Sequence, residues 1–193
     1  MKNNAVHPLE IERKFLIAYP SLPWLEQQPG VRKAEIEQTY LISCSDASRR
    51  VRLWQEADET HCYRTVKRTV SERTRIEEED EISPDEYRAL LCEADPARLP
   101  IRKTRWCLPY EGHVLEIDCY PFWQRQAVLE CELDSEDEVF SLPPELRVLC
   151  EVTGDRRYLN STLAGMNDRE RRELEIVCGQ DGAPPIPEEF RPC

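Results

Sequence analysis

No CxxC spacing occurs in this chain, and only three histidines are available as metal ligands. Structural zinc, which needs thiols or imidazoles clustered at short spacing, is therefore not expected. Net positive charge is also lacking, since 38 acidic residues outnumber 26 lysines and arginines. A formal net charge of −12 argues against a general nucleic-acid or membrane-surface binder, because those partners select a basic face. A polyanionic ligand would have to be held by a local basic cluster inside an acidic shell, or with metal ions that reverse the local potential. The first residues, Met1-Lys2-Asn3-Asn4-Ala5-Val6-His7-Pro8, contain no apolar stretch, so a secretory leader is not expected and a cytoplasmic location is. The nine cysteines, an odd number, then read as reduced thiols serving as small buried hydrophobes.

What the chain has instead is alternation of charged and apolar residues. In Glu10-Ile11-Glu12-Arg13-Lys14-Phe15, an extended backbone puts Glu10, Glu12 and Lys14 on one face and Ile11, Arg13 and Phe15 on the other. The pattern recurs with Arg50 and Arg52, Thr65 and Lys67, Arg75 with Glu77, Glu79 and Glu81, Lys103 and Arg105, Glu116 and Asp118, and Glu130 and Glu132. Single strands tend to carry one sign of charge. Like charges two residues apart repel unless a counter-ion sits between them, so the segregation indicates ligands rather than mere solvation. A closed antiparallel barrel of about eight strands, with a charged lumen and an apolar outer face covered by helices, accommodates this pattern.

Strands are predicted at 9–17, 36–43, 49–55, 61–69, 73–82, 101–109, 113–120 and 127–134, giving an α+β architecture with eight antiparallel strands. One helix is predicted after residue 83 from Ser83 as N-cap, Pro84 in the first turn and Glu86 three residues after the cap. Short helical segments are expected between Pro143-Pro144 and Gly154, from Arg157 to Leu163, and from Asp168 to Val177. A single domain over 1–178 followed by a flexible tail over 179–193 completes the division.

The ordered set Glu10 to Ile17, Gln38-Thr39-Tyr40-Leu41, Arg50-Val51-Arg52, Thr65-Val66-Lys67, Glu77 to Ile82, Lys103-Thr104-Arg105, Leu115-Glu116-Ile117-Asp118, Glu130 to Leu133 and Glu151 to Tyr158 resembles the CYTH superfamily. Over residues 9–165 the chain looks like a triphosphate tunnel metalloenzyme, similar to short bacterial inorganic tripolyphosphatases. The resemblance implies an eight-stranded antiparallel tunnel, Mg²⁺ or Mn²⁺, and a linear triphosphate as substrate. It places Glu10, Glu12, Glu130 and Glu132 as metal ligands, hard oxygens that suit either ion. Arg50, Arg52, Lys67, Arg75, Lys103 and Arg105 match the phosphate-holding positions, where surface ion pairing with nearby glutamates is the alternative.

Lys14 is implied to contact the terminal phosphate or attacking water. Tyr40 is either its catalytic partner or a residue at the core rim. Glu77, Glu79 and Asp118 either add a second metal site, orient water, or balance the basic residues. Arg157 either closes over substrate or serves as a helix-end cation. The expected reaction is metal-dependent hydrolysis of inorganic tripolyphosphate to pyrophosphate and orthophosphate, by a monomer or homodimer without nucleic-acid or membrane partners. A class IV adenylate cyclase, a thiamine triphosphatase and a non-catalytic polyphosphate-binding module are the alternatives.

Overall fold

A computed structural model describes residues 11–43, 47–135 except 70–74, and 137–175, with the side chains of 68, 69 and 75–77 left undescribed. The strands are β1 (Ile11–Ala18), β2 (Arg32–Leu41), β3 (Ala47–Glu56), β4 (Glu59–Thr69), β5 (Arg75–Ile82), β6 (Ile101–Tyr110), β7 (His113–Cys119), β8 (Gln126–Leu133) and β9 (Val148–Glu151). Four helices accompany them: α1 (Leu22–Glu26), α2 (Pro84–Leu91), α3 (Asn160–Ala164) and α4 (Asp168–Glu173). The strands form one sheet in the order β5-β4-β3-β2-β6-β7-β8-β1-β9, with antiparallel neighbours throughout. No helix among the described residues is long and apolar enough to cross a membrane.

The α+β, antiparallel expectation holds. The strand count is nine rather than eight, and no ladder among the described residues joins β5 to β1 or β9. The extra strand corrects the helix expected before Gly154. Val148–Glu151 is too short to hold an extended shape alone, but it pairs with β1 at Phe15↔Glu151 and Leu16↔Cys150. A bidentate ion pair from Arg13 to Glu151, at 2.9 and 2.8 Å, pins the two strands from the outer face.

The predicted helix after Ser83 forms as α2, with the Ser83 side chain accepting from the Glu86 N–H. The single helix expected over Arg157–Leu163 is instead a 3-10 turn, Arg156–Tyr158, followed by α3. The last helix ends at Glu173 rather than at Val177, which lies outside the described residues, as does the expected tail over 179–193. Between β6 and β7 the two-residue connection Glu111-Gly112 has positive φ at both positions, 45° and 88°, the geometry that matches hairpin twist.

Alternation divides the sheet into two unlike faces. On the outer face Phe15, Ile17, Trp106, Leu115, Ile117 and Leu129 pack beneath Leu25 of α1 and the Phe140–Leu146 segment. Further along, Val51, Cys62 and Ile82 pack beneath Tyr87 of α2. Burying these side chains removes apolar surface worth roughly 25 cal/mol per Å². The inner face is charged over most of its extent. At one end it becomes apolar, where Leu16, Ile101 and Val128 join Tyr120, Trp123, Tyr158 and Leu163 in a cluster covered by α3. Cys62, Cys107, Cys119, Cys131 and Cys150 are buried free thiols, as expected of small hydrophobes, while Cys92 is exposed.

A charged sheet face as the candidate active site

Register brings the charged residues of distant segments together. Lys14 lies opposite Glu130, and Glu12 opposite Glu132, across the β1–β8 pair. Glu130 in turn faces Glu116 on β7, and Asp118 faces Arg105 on β6. Lys14 Nζ lies 2.8 Å from one oxygen of Glu130 and 3.5 Å from Glu12. The second oxygen of Glu130 accepts from Arg105 Nη2 at 2.9 Å. Arg105 also makes two bonds of 2.7 Å to Asp118 and a contact to Glu116, while Lys103 contacts Asp118.

This cluster is buried although it is ionic. Asp118 has no exposed surface, and Lys14, Lys103 and Arg105 retain only 7, 5 and 7%. Buried charges persist where each is paired and hydrogen-bonded. Burial alone would push the Asp118 carboxyl up, but Arg105 and Lys103 hold it well below the usual carboxylate range. Burial, with repulsion from Arg105, brings Lys103 down to about 8 despite Asp118. Lys14 is opposed by burial too, yet Glu130 and Glu12 raise it above its ordinary value. Glu130 is held low by Lys103, Lys14 and Arg105 against burial and the charge of Asp118. Burial raises Glu116 in spite of Arg105.

A second group of charges lies on β3, β4 and β5. Arg52 donates to Glu79 at 2.6 Å, buried Thr65 donates to the same oxygen at 2.7 Å, and Arg50 lies 3.9 Å away. Lys67 sits on the face of Thr65, in register between Ser48 and Glu77. The backbone of Glu77 and Arg75 belongs to β5, but their side chains, like all of Glu10, lie outside what is described. Between the two groups β2 contributes Gln38 and Tyr40, both buried; Gln38 Nε2 donates to the Tyr40 hydroxyl at 2.9 Å.

Tyr40 thus takes part in the apolar cluster at the end of the face while its hydroxyl meets the charged part. Arg157 is an outlier among the expected residues. Its guanidinium binds Asp155 at 2.6 to 3.1 Å and lies over the Tyr158 ring, with its side chain 60% exposed.

Glu116, Thr65 and Gln38 were not assigned roles from sequence, though each stands two residues from an assigned residue on the same strand face. Period-two spacing was the signal that could have found them. Among the described residues no three carboxylates, histidines or cysteines converge as a preformed metal cluster. Glu12 and Glu132 are nevertheless directly opposed like charges beside Glu130, with Lys14 Nζ 3.5 Å from Glu12 offsetting part of the repulsion. Their oxygens are the donor type that Mg²⁺ and Mn²⁺ prefer.

No family model matches the sequence. An inorganic triphosphatase of Acetivibrio thermocellus is 35% identical over 161 residues, spanning 80% of this chain and 92% of that protein. The crystal structure of the inorganic triphosphatase NE1496 aligns with a TM-score of 0.54 and 28% identity, over 83% of this chain and 97% of the other. A second NE1496 structure, described as a hypothetical protein, aligns at 0.52 over 82 and 99%. By its 35% identity to the first of these proteins over 80% of its length, the chain belongs to the inorganic triphosphatase family.

Proposed function

We propose that this chain hydrolyses a linear triphosphate, inorganic tripolyphosphate, to pyrophosphate and orthophosphate on the charged face of its sheet, with Mg²⁺ or Mn²⁺. One observation carries the reading. Lys14, Lys103 and Arg105, from strands far apart in sequence, are gathered as buried cations on one surface and paired with the carboxylates of Glu130 and Asp118. A triphosphate can exchange with those carboxylates, because guanidinium groups bind phosphate bidentately and ammonium groups bind it as point charges. We also propose that the sheet curls so that this face lines an eight-stranded tunnel, β5 closing against the Ile11–Arg13 part of the β1 edge that the β9 ladder does not reach. The natural twist of a large sheet and the helices on its outer face favour that curvature.

Glu12, Glu132 and Glu130, with Glu10, Glu77, Glu79 and Asp118 as further candidates, would hold the metal. When bound, it would offset charge developing on the phosphate oxygens. The chain's own residues position the reactants. Arg105, Lys103, Arg50, Arg52, Lys67 and Arg75 fix the phosphate chain, so that the terminal phosphorus faces a water in line with the leaving pyrophosphate. Lys14, held protonated by Glu130 and Glu12, acts as a cation on the terminal phosphate rather than as a base. Tyr40 keeps its proton, because burial raises it against the influence of Arg50 and Arg98, and serves as a hydrogen-bond donor. Arg157, committed to Asp155, would have to release that carboxylate to reach substrate.

The test is to measure orthophosphate, pyrophosphate and cyclic AMP released from tripolyphosphate, ATP and thiamine triphosphate with each metal. The expected result is equimolar orthophosphate and pyrophosphate from tripolyphosphate, lost in Lys14→Ala and Glu130→Ala. Cyclic AMP from ATP without orthophosphate would overturn the hydrolase reading, and full activity in both variants would overturn the site.

A further inference from the structure

Gln38 is a neutral side chain in a charged surface, and it is only 2% exposed. Its strand places it opposite Arg52, one alternation from Tyr40, which lies opposite Arg50. The amide Nε2 donates to the Tyr40 hydroxyl oxygen at 2.9 Å, with Arg50 facing the tyrosine across the β2–β3 ladder. The ring itself is braced by Arg98, whose guanidinium carbon lies 5.1 Å from the ring centroid. Arg98 is fixed in turn by Asp95 at 3.2 Å and by the Ser161 carbonyl at 3.2 Å. The Asp95 N–H returns to the Tyr40 carbonyl at 3.0 Å, so the tyrosine is held at backbone, ring and hydroxyl.

A phenol has one proton to give and lone pairs with which to accept. Gln38 is the donor here, so it occupies the accepting side of the oxygen. The O–H is left to point elsewhere, along the charged face. We infer that Gln38 is a positioning residue that turns the Tyr40 hydroxyl into an obligatory hydrogen-bond donor toward a phosphate oxygen of the substrate. This rests on the reading that the charged face binds a triphosphate. Donors aimed beforehand at oxygens that gain charge in the transition state lower the barrier without reorganising during the reaction. A glutamate at position 38 would be of nearly the same shape but would accept the phenol proton and draw it away from the substrate.

The experiment compares wild type, Tyr40→Phe, Gln38→Met, Gln38→Glu and Gln38→Met/Tyr40→Phe, with inorganic tripolyphosphate and Mg²⁺. Thermal unfolding confirms that each is folded. Tyr40→Phe should lower kcat by roughly a hundredfold and Gln38→Met by roughly tenfold, with KM little changed. In the Tyr40→Phe background Gln38→Met should cost nothing further, because the group it orients is gone. Gln38→Glu should be impaired at neutral pH and recover as the pH falls and the new carboxyl regains a proton that it can donate.

An equal loss from Gln38→Met in both backgrounds overturns the inference, as does a Gln38→Glu pH profile parallel to wild type. If Gln38→Met does not fold, the Gln38→Glu profile alone decides. Full kcat in Tyr40→Phe overturns this inference while leaving the hydrolase reading intact. A wild-type protein that releases no orthophosphate from tripolyphosphate overturns the reading on which it rests.

Discussion

Lys14 and Glu130 meet at 2.8 Å across the β1–β8 pair, although 116 positions of sequence separate a residue numbered 14 from one numbered 130. The contact does two things at once. It offsets the burial that opposes the charge of Lys14, and it holds in place the carboxylate whose other oxygen binds Arg105.

Glu130→Gln should therefore act on both stability and turnover. The substitution preserves shape but leaves Lys14 and Arg105 sharing fewer carboxylates, at a cost of about 1–3 kcal/mol in denaturant unfolding. Tripolyphosphate turnover should fall by roughly a hundredfold or more when measured as released orthophosphate.

Lys103 sets an alkaline limit on substrate binding. Below a pH of about 8 it is charged in the folded chain, and above it the charge is lost. KM for tripolyphosphate should rise as pH climbs through that region, by roughly tenfold once the ammonium is gone. Stability moves the other way. Between about 8 and the ordinary value of 10.5 the unfolded chain holds the extra proton, so this group's contribution to stability grows with pH. Lys103→Met should flatten the KM profile.

Asp118 governs the acid side. Its folded carboxyl is held far below its ordinary value of 3.8, so the stability it provides is present above the ordinary carboxylate range. That stability is lost as the pH falls toward the folded value. Asp118→Asn should remove much of the acid dependence seen in unfolding midpoints below pH 4, while lowering stability at pH 7.

Thr65→Val should loosen Arg52 without touching it. The hydroxyl and Arg52 share one oxygen of Glu79, and the threonine is fully buried. Valine matches the shape but leaves the carboxylate short of a donor, costing about 1 kcal/mol. A rise in KM for tripolyphosphate with nearly unchanged kcat is the expected kinetic signature.

Glu12→Gln and Glu132→Gln should each raise the concentration of Mg²⁺ or Mn²⁺ needed for half-maximal turnover, by roughly tenfold or more. Chelation should abolish activity, and added metal should restore it. A metal titration unchanged in both variants would remove these two residues from the proposed ligand set.

The strands were legible because a half-buried strand writes its two environments into alternate residues. Ile11 to Ile17, Leu115 to Ile117 and Leu129 to Leu133 show it most plainly. The helix α2 was legible because Ser83, Pro84 and Glu86 form a local start signal that needs no partner. The strand β9 was not legible, since Val148–Glu151 is extended only because β1 offers it an edge and Arg13 offers Glu151 an ion pair. Gln38 was equally hidden: an amide on a strand face has no predictable partner until the neighbouring hydroxyl is placed.

The amino-acid sequence by itself determined which residues would share a face, because strand periodicity is a local property of the backbone. It also determined that one face would be ionic and the other apolar. Only the tertiary structure decided which charge would meet which. Lys14 could have faced any of several carboxylates, and the β1–β8 register chose Glu130; Asp118 could have balanced any cation, and the β6–β7 register gave it to Arg105 and Lys103. Coulomb energy falls with distance and with solvent, so pairing depends on position and burial, which strand order and register supply.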